Sequence, residues 1–278
     1  MENYTINQDK KIITINDLSK VTPKKISGTN FSVVLGVNTY STPFQAWCDM
    51  MRVYKKPFVE TPETKAGKEI EGRQAKYIKE KYNLVGLTSP EDKFGSNYFN
   101  RTRGDFFPME DYFQGMWDFI NVDPRTDKIT SVIEMKTTKE KNYEKWLREV
   151  PPYYMLQVGL YAYLLKVEKF VVVASFLKDE DYLEPLKFVP NEQNTKIMPY
   201  TMSKKFPKFY EYYIMPAKKW WNDYIVTGVS PMYDEYNAGD VEIVKELLKK
   251  QQEEQEAKEK AISGYRLKDI KGDECPFY

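Results

Sequence analysis

Histidine does not occur anywhere in the 278 residues, and cysteine occurs only twice, as Cys48 and Cys275. The first absence excludes a Ser-His-Asp triad, a Cys-His pair, an HExxH zinc site and any histidine general base. The second leaves too few thiols for a disulfide framework or a four-cysteine cluster, and fits a reducing cytoplasm. There is no run of about 18 or more apolar residues, so no transmembrane helix is expected. The opening residues, MENYTINQDKK, lack the apolar stretch of a secretory signal. The formal net charge is only +1, from 42 basic and 41 acidic residues, so any nucleic-acid surface must be a local patch. What remains open is the chemistry of carboxylates, lysines, tyrosines and a bound hard cation.

With 41% hydrophobic and 15% aromatic residues the chain can bury a substantial core. Short helices are expected at 30–35, ending at Gly36, and from Thr42-Pro43 to about Tyr54, where threonine caps and proline takes the first helical position. Ile70, Ala75 and Ile78 fall on one face of a helix over 65–82. Residues 84–110, rich in Gly, Asn, Asp and Pro, read as loop with one short strand. A hairpin follows: a strand over 114–122, a turn at 123–127 and a returning strand over 129–136. A helix is expected over 153–167, a buried β-branched strand over 170–176, an edge strand over 184–189 and a long helix over 203–227 that packs Trp220 and Trp221. Strands interleaved with helices predict an α/β core with a mixed central sheet. By composition the chain divides into a domain over 1–235 and a charged helical tail over 236–278. The tail carries one apolar stripe: Val241, Val244, Leu247 and Leu248.

The hairpin holds the residues with chemistry. Asp118 and Glu134 lie almost symmetrically about its turn and so come close to facing each other. Glu134 and Lys136, two apart, share a face, while Ile133 and Met135 point to the other. Two carboxylates and an ammonium therefore converge. Paired carboxylates repel unless a cation or a proton intervenes. Oxygen ligands alone favour Mg²⁺, for which Mn²⁺ can substitute. Such an ion would activate water and stabilise charge on a phosphodiester oxygen, and Lys136 would position or deprotonate that water. On the preceding helix Glu71 offers another acid. On the helix after the second strand Gln157 and Tyr161, four apart, share a face. Lys24, Lys25, Arg101 and Arg103 are candidate contacts to the phosphate backbone.

Taken in order, Gly67…Glu71, Asp118, Glu134-Met135-Lys136 and Gln157…Tyr161, preceded by Gly28-Thr29 and Thr42-Pro43, resemble one family. It is the lambda-exonuclease branch of the RecB-like PD-(D/E)XK nucleases, the viral exonucleases used in recombination. The resemblance spans roughly residues 24–165. It implies a restriction-endonuclease-like core and a metal bound by Asp118, Glu134 and the backbone carbonyl of Met135. Glu71 would support the metal shell, possible through water, and Gln157 would orient the lysine or the substrate. Thr29 would bind a terminal phosphate, and Tyr161 belongs with the DNA-binding set. The implied activity is digestion of linear double-stranded DNA from its ends, 5′ to 3′, in a cytoplasm (the host's, for a viral protein). A ring-shaped homotrimer and a single-strand annealing protein are the implied partners. Phe119 and Gly72 depart from the family pattern, which has glycine and proline there. Two alternatives stay open: another RecB-like activity, endonucleolytic or single-strand-specific, and a non-catalytic DNA-binding or assembly module that keeps the fold.

Overall fold

The computed structural model describes residues 3–269, with side chains to residue 261; Cys275 lies outside the described residues. By packing, the chain forms two compact units, one of residues 1–24, 44–55 and 223–278, the other of residues 25–43 and 56–222.

In the first unit, β1 (Tyr4–Asn7) and β2 (Ile12–Ile15) form an antiparallel hairpin. In the second unit, β3 (Ile26–Ser27) leads into α1 (Gly28–Val34), which Ser27 caps by accepting a hydrogen bond from the Asn30 amide. Helix α2 (Pro43–Met50) opens on Pro43 as expected and buries Phe44, Trp47 and Met50. Helix α3 (Pro62–Tyr82) starts three residues before the expected helix. A reciprocal Thr61–Thr64 capping box satisfies its first amides and Pro62 sits at its first turn. The stretch expected as loop contains β4 (Leu87–Thr88), α4 (Pro90–Phe94) and α5 (Tyr98–Thr102).

The strand expected over 114–122 is divided. Strand β5 (Phe113–Gln114) pairs in parallel with β3, whereas β6 (Phe119–Asp123) pairs with β7 (Lys128–Lys139). Asp118 occupies the bend between the two pieces. Helix α6 (Tyr143–Arg148) and α7 (Pro152–Leu164) carry the chain across to β8 (Lys169–Leu177), which lies parallel to β7. That parallel pairing requires a crossover of this kind. Two other expectations are corrected. Residues 184–189 do not form an edge strand: after α8 (Asp179–Leu183) comes a single 3₁₀ turn at 185–187. Pro185 and Pro190 lack the amides a strand needs, and Phe188 is drawn into a cluster with Ala66, Ile70 and Leu177. The edge strand is β9 (Thr195–Thr201), antiparallel to β8, where the missing amide of Pro199 is tolerated. Nor is 203–227 one helix. Helix α9 (Met202–Lys205) stops at Phe206, which Pro207 holds out of the helical region. Helical structure resumes as a π turn at 210–214, α10 (Met215–Trp220) and a second π turn at 221–225, around Pro216.

The second unit is thus built on a mixed five-stranded sheet, ordered β4-β6-β7-β8-β9, flanked by helices. Ala75 and Ile78 of α3 pack on Phe119, Ile133, Met135 and Val173 on one face. Val132, Glu134, Val172 and Ala174 alternate to the opposite face.

In the first unit, the helix α11 (Ala238–Asp269) buries Asp240, Ile243, Val244 and Leu247. The stripe is shifted from the one expected, with Ile243 inside and Val241 and Leu248 at its margins. Gln251 donates to the Tyr4 carbonyl at 3.3 Å; beyond it the helix is almost wholly exposed up to residue 261. Leu247→Ala should therefore cost about 2–5 kcal/mol, whereas truncation after residue 255 should leave the denaturant midpoint unchanged. Equal effects from the two changes would contradict this packing.

Candidate active site

Strand β7 runs through a fully packed sheet, yet places a carboxylate at position 134 with only 1% of its surface exposed. Such a group needs partners. Lys136 Nζ donates to Glu134 Oε1 at 2.6 Å, and Gln157 Nε2 on α7 donates to the same oxygen at 2.7 Å. Glu134 Oε2 is buried and has no partner. Because Asp118 sits in the bend before β6, its Oδ2 reaches across to accept from the Met135 amide at 2.7 Å. Glu71, one turn along α3 from Gly67, lines the same cleft as Asp118, Met135, Lys136 and Tyr154, about 300 Å³ in volume.

The electrostatics follow from this crowding. Burial first, and then the Asp118 charge, push the Glu134 carboxyl up to about 8 against the pull of Lys136. Burial and Asp118 likewise push Glu71 up to about 7. Burial raises Asp118 as well, opposed by Lys136 and the Met135 amide. For Lys136, burial acts to lower the ammonium's pKa, but Glu134 and Asp118 outweigh it and hold the pKa above its ordinary value.

Asp118, Glu134, Met135, Lys136, Glu71 and Gln157 are brought together; the candidate DNA contacts are not. Tyr161 is buried, its ring in the space beside Gly28 and Gly115, where a Cβ at either glycine would approach within 2.3 Å. It cannot present a face to DNA. Instead its hydroxyl bonds with Gln157 and the Met116 backbone, so it braces the glutamine. Lys25 is also committed: it pairs with Asp105 at 2.6 Å and donates to the carbonyls of Phe107 and Glu110, which makes it a tie for that loop. Lys24 belongs to the first unit and pairs with Asp49 at 2.6 Å. Arg101 donates to the Phe94 carbonyl at 2.7 Å and remains exposed, as do Arg103 and Thr29, and none of the three lines the cleft.

Two supports escaped the sequence reading. Gln74 donates both to the Lys136 carbonyl and to Ser175 Oγ, each at 2.9 Å, and Ser175 bonds to Thr195 at 2.8 Å. This chain ties the β7 backbone to α3, β8 and β9. Its signal was the spacing Glu71 to Gln74, which puts both on one helix face. Tyr154 places its ring 5.0 Å from Lys136 Nζ.

Among the described residues, no three His, Cys, Asp or Glu side chains close into a ready-made metal cage. The donors are nonetheless suited to a hard divalent cation that retains water. Glu134 Oε2 lacks any partner, Asp118 uses only Oδ2, and Glu71 lines the same cleft.

A mixed sheet that carries two acids and a lysine of this kind at its centre defines a nuclease-type domain. The chain belongs to the family of YqaJ-like viral recombinase domains, whose profile matches residues 19–164; this is the lambda-exonuclease-like branch. It is 27% identical to Uncharacterized protein MG373 of Mycoplasma genitalium over 80% of this chain and 87% of that protein. With the MG373 homolog of Mycoplasma pneumoniae it shares 27% identity over 75% and 83%. Among solved structures, a phage related exonuclease from Haemophilus somnus 129PT superposes with a TM-score of 0.47 and 12% identity, covering 74% of this chain and 96% of that one. The alkaline exonuclease LHK-Exo from Laribacter hongkongensis gives a TM-score of 0.46 and 12% identity over 84% and 94%. No helix among the described residues is long and apolar enough to cross a membrane.

The raised carboxyls set a pH dependence. In the folded protein Glu71 and Glu134 keep protons that the unfolded chain releases near 4.5, so stability falls as pH rises from about 5 to about 8. A bound cation would replace those protons. The rise in melting temperature caused by Mg²⁺ should therefore be small at pH 6, large at pH 8.5, and much reduced in Glu134→Gln. A rise independent of pH would refute a cation seated between these carboxylates.

Proposed function

We propose that the protein is a divalent-cation-dependent deoxyribonuclease that degrades linear double-stranded DNA from its ends, 5′ to 3′, to leave single strands for recombination. The observation that carries this reading is the orphaned oxygen of Glu134, buried beside Asp118 and facing no protein donor, next to a lysine held cationic. Family membership supports DNA as the substrate and action from an end.

Asp118, Glu134 and the Met135 carbonyl would hold Mg²⁺ or Mn²⁺, with Glu71 acting through water. That ion supplies polarisation of a phosphate oxygen and a water of lowered pKa. Lys136 donates to the phosphate oxygens as charge builds on them, and its own proton stays in place. Gln157 keeps Glu134 Oε1 engaged, so that the free oxygen is the one presented to the cation. Gln74 fixes the peptide between Lys136 and Thr137, and Tyr154 packs beside the ammonium to hold its direction. Thr29 remains the candidate for a terminal phosphate, and the exposed Arg101 and Arg103 are the candidates for the duplex backbone. A ring-shaped homo-oligomer and a single-strand annealing partner, in the cytoplasm, complete the reading.

Asp118→Ala, Glu134→Gln and Lys136→Ala should each slow cleavage by roughly a thousandfold or more, the loss of several kcal/mol of charge stabilisation. End-labelled linear duplex should be digested with Mg²⁺ or Mn²⁺, slowly at best with Ca²⁺, and a covalently closed circle should survive. Near-wild-type rates in any of the three variants, purified free of contaminating nuclease, would overturn the assignment of the site. Equal loss of the circle would overturn action from an end.

A further inference from the structure

Tyr154 stands between two environments. One side of its ring faces Lys136. The same ring meets Tyr153, with ring centroids 4.5 Å apart and planes at 62°. Tyr153 in turn meets Tyr40 edge-on at 5.6 Å, and the two share a hydrogen bond. Tyr40 is 79% exposed. A ladder of three aromatic rings therefore runs from Lys136 to solvent.

Its outer end opens into a groove of about 710 Å³, bordered by Tyr40, Tyr153, Lys141, Lys145 and Arg148. Lys145 and Arg148 lie three apart on α6 and so share one side, and Lys141 stands in the 3₁₀ turn at 140–142 just before that helix. Glu144 and Glu149 also border the groove. None of the three cations forms an ion pair among the described residues, which leaves their charge available to a ligand. The exposed Tyr40 ring, with half-buried Tyr153 behind it, stands beside unpaired cations and matches a polyanion whose bases are free to stack, which is the chemistry of a single strand. A duplex offers such a groove only phosphates, because its bases already stack on each other.

We infer that this groove holds a single-stranded segment of the nucleic acid being cut. The bases lie against Tyr40 and Tyr153, the phosphates on Lys141, Lys145 and Arg148, and the ladder guides the strand past Tyr154 into the cleft of Glu134 and Lys136. The identity of the polymer rests on the nuclease reading, whereas the groove rests on its own geometry.

Binding to the full-length protein can be measured without cleavage, in chelator, by the fluorescence anisotropy of a short labelled oligothymidine and of a blunt duplex of equal length. Tyr40→Ala, at an exposed position that leaves the core intact, should weaken the single strand by roughly tenfold and the duplex much less. Tyr40→Trp should restore affinity. Lys145→Glu with Arg148→Glu should flatten the dependence of log affinity on log salt by roughly 1.4, at about 0.7 per phosphate contact. Unchanged single-strand affinity in Tyr40→Ala, or equal loss for both ligands, would overturn the groove and leave the nuclease reading standing. Selective loss in a protein that cuts nothing with any divalent cation would support the groove and overturn the nuclease reading instead.

Discussion

A carboxylate at the centre of a packed sheet is costly, because water that would solvate its charge has been removed and only fixed partners can replace it. In this protein Glu134 bears that cost, and its environment is arranged around the two groups that offset it, Lys136 and Gln157. One oxygen takes both Lys136 and Gln157, while the other takes neither. The arrangement holds only if β7 and α7 keep their distance and their rotation relative to each other. Tyr161 enforces that. It is wedged beside two glycines, Gly28 at the start of α1 and Gly115 in the break between β5 and β6, and its hydroxyl steadies Gln157. The divided strand is thus a condition of the site: the gap admits the tyrosine ring, and the bend at its end lets Asp118 turn back to the Met135 amide.

The same crowding sorts the titratable groups by role. Burial raises all three carboxyls, Asp118, Glu71 and Glu134, while the Lys136 ammonium is stabilised, and the chain has no histidine to add an imidazole. The acids are poised to exchange protons for a divalent ion, and the lysine is poised to meet negative charge. Around this centre the walls differ in character. Helix α3 gives the cleft the polar Glu71 and Gln74, while further along it Ala75 and Ile78 pack on Met135 and Ile133. On the other side, an aromatic ladder leads away from Lys136 to an open, partly basic groove. Charge that is nearly balanced over the whole chain is therefore distributed unevenly where a polyanion would approach.

Much of this was legible in order along the chain. A period of two set Glu134 and Lys136 on one face and Met135 on the other. Symmetry about the turn brought Asp118 opposite Glu134, and the observed register, Phe119 with Ile133, agrees. A period of about 3.6 put Glu71 on the face of α3 that reaches the cleft. Capping and proline rules located the start of α2, and apolar periodicity located α3 to within three residues of its start. Where reading failed, a longer-range competitor won. Alternation over 184–189 resembled a strand, but prolines and the burial of Phe188 under α3 decided otherwise. The basic residues Lys24 and Lys25 resembled a phosphate grip, yet each found a carboxylate far along the chain, at Asp49 and Asp105.

The sequence by itself determined the chemistry available: oxygen ligands, one lysine, no imidazole, and the spacing that gathers them on a hairpin and its neighbouring helices. These are properties of residue type and of periodicity, which act over a few positions and need no knowledge of the fold. Only the tertiary structure decided that Tyr161 is a brace, that Gln74 reaches the Lys136 carbonyl through a network with Ser175 and Thr195, and that Tyr40 completes a path from Lys136 to solvent. Each of those roles depends on burial and on partners distant in the chain, such as the 113 positions that separate Tyr40 from Tyr153. Burial is set by what packs around a residue, and no local pattern encodes it.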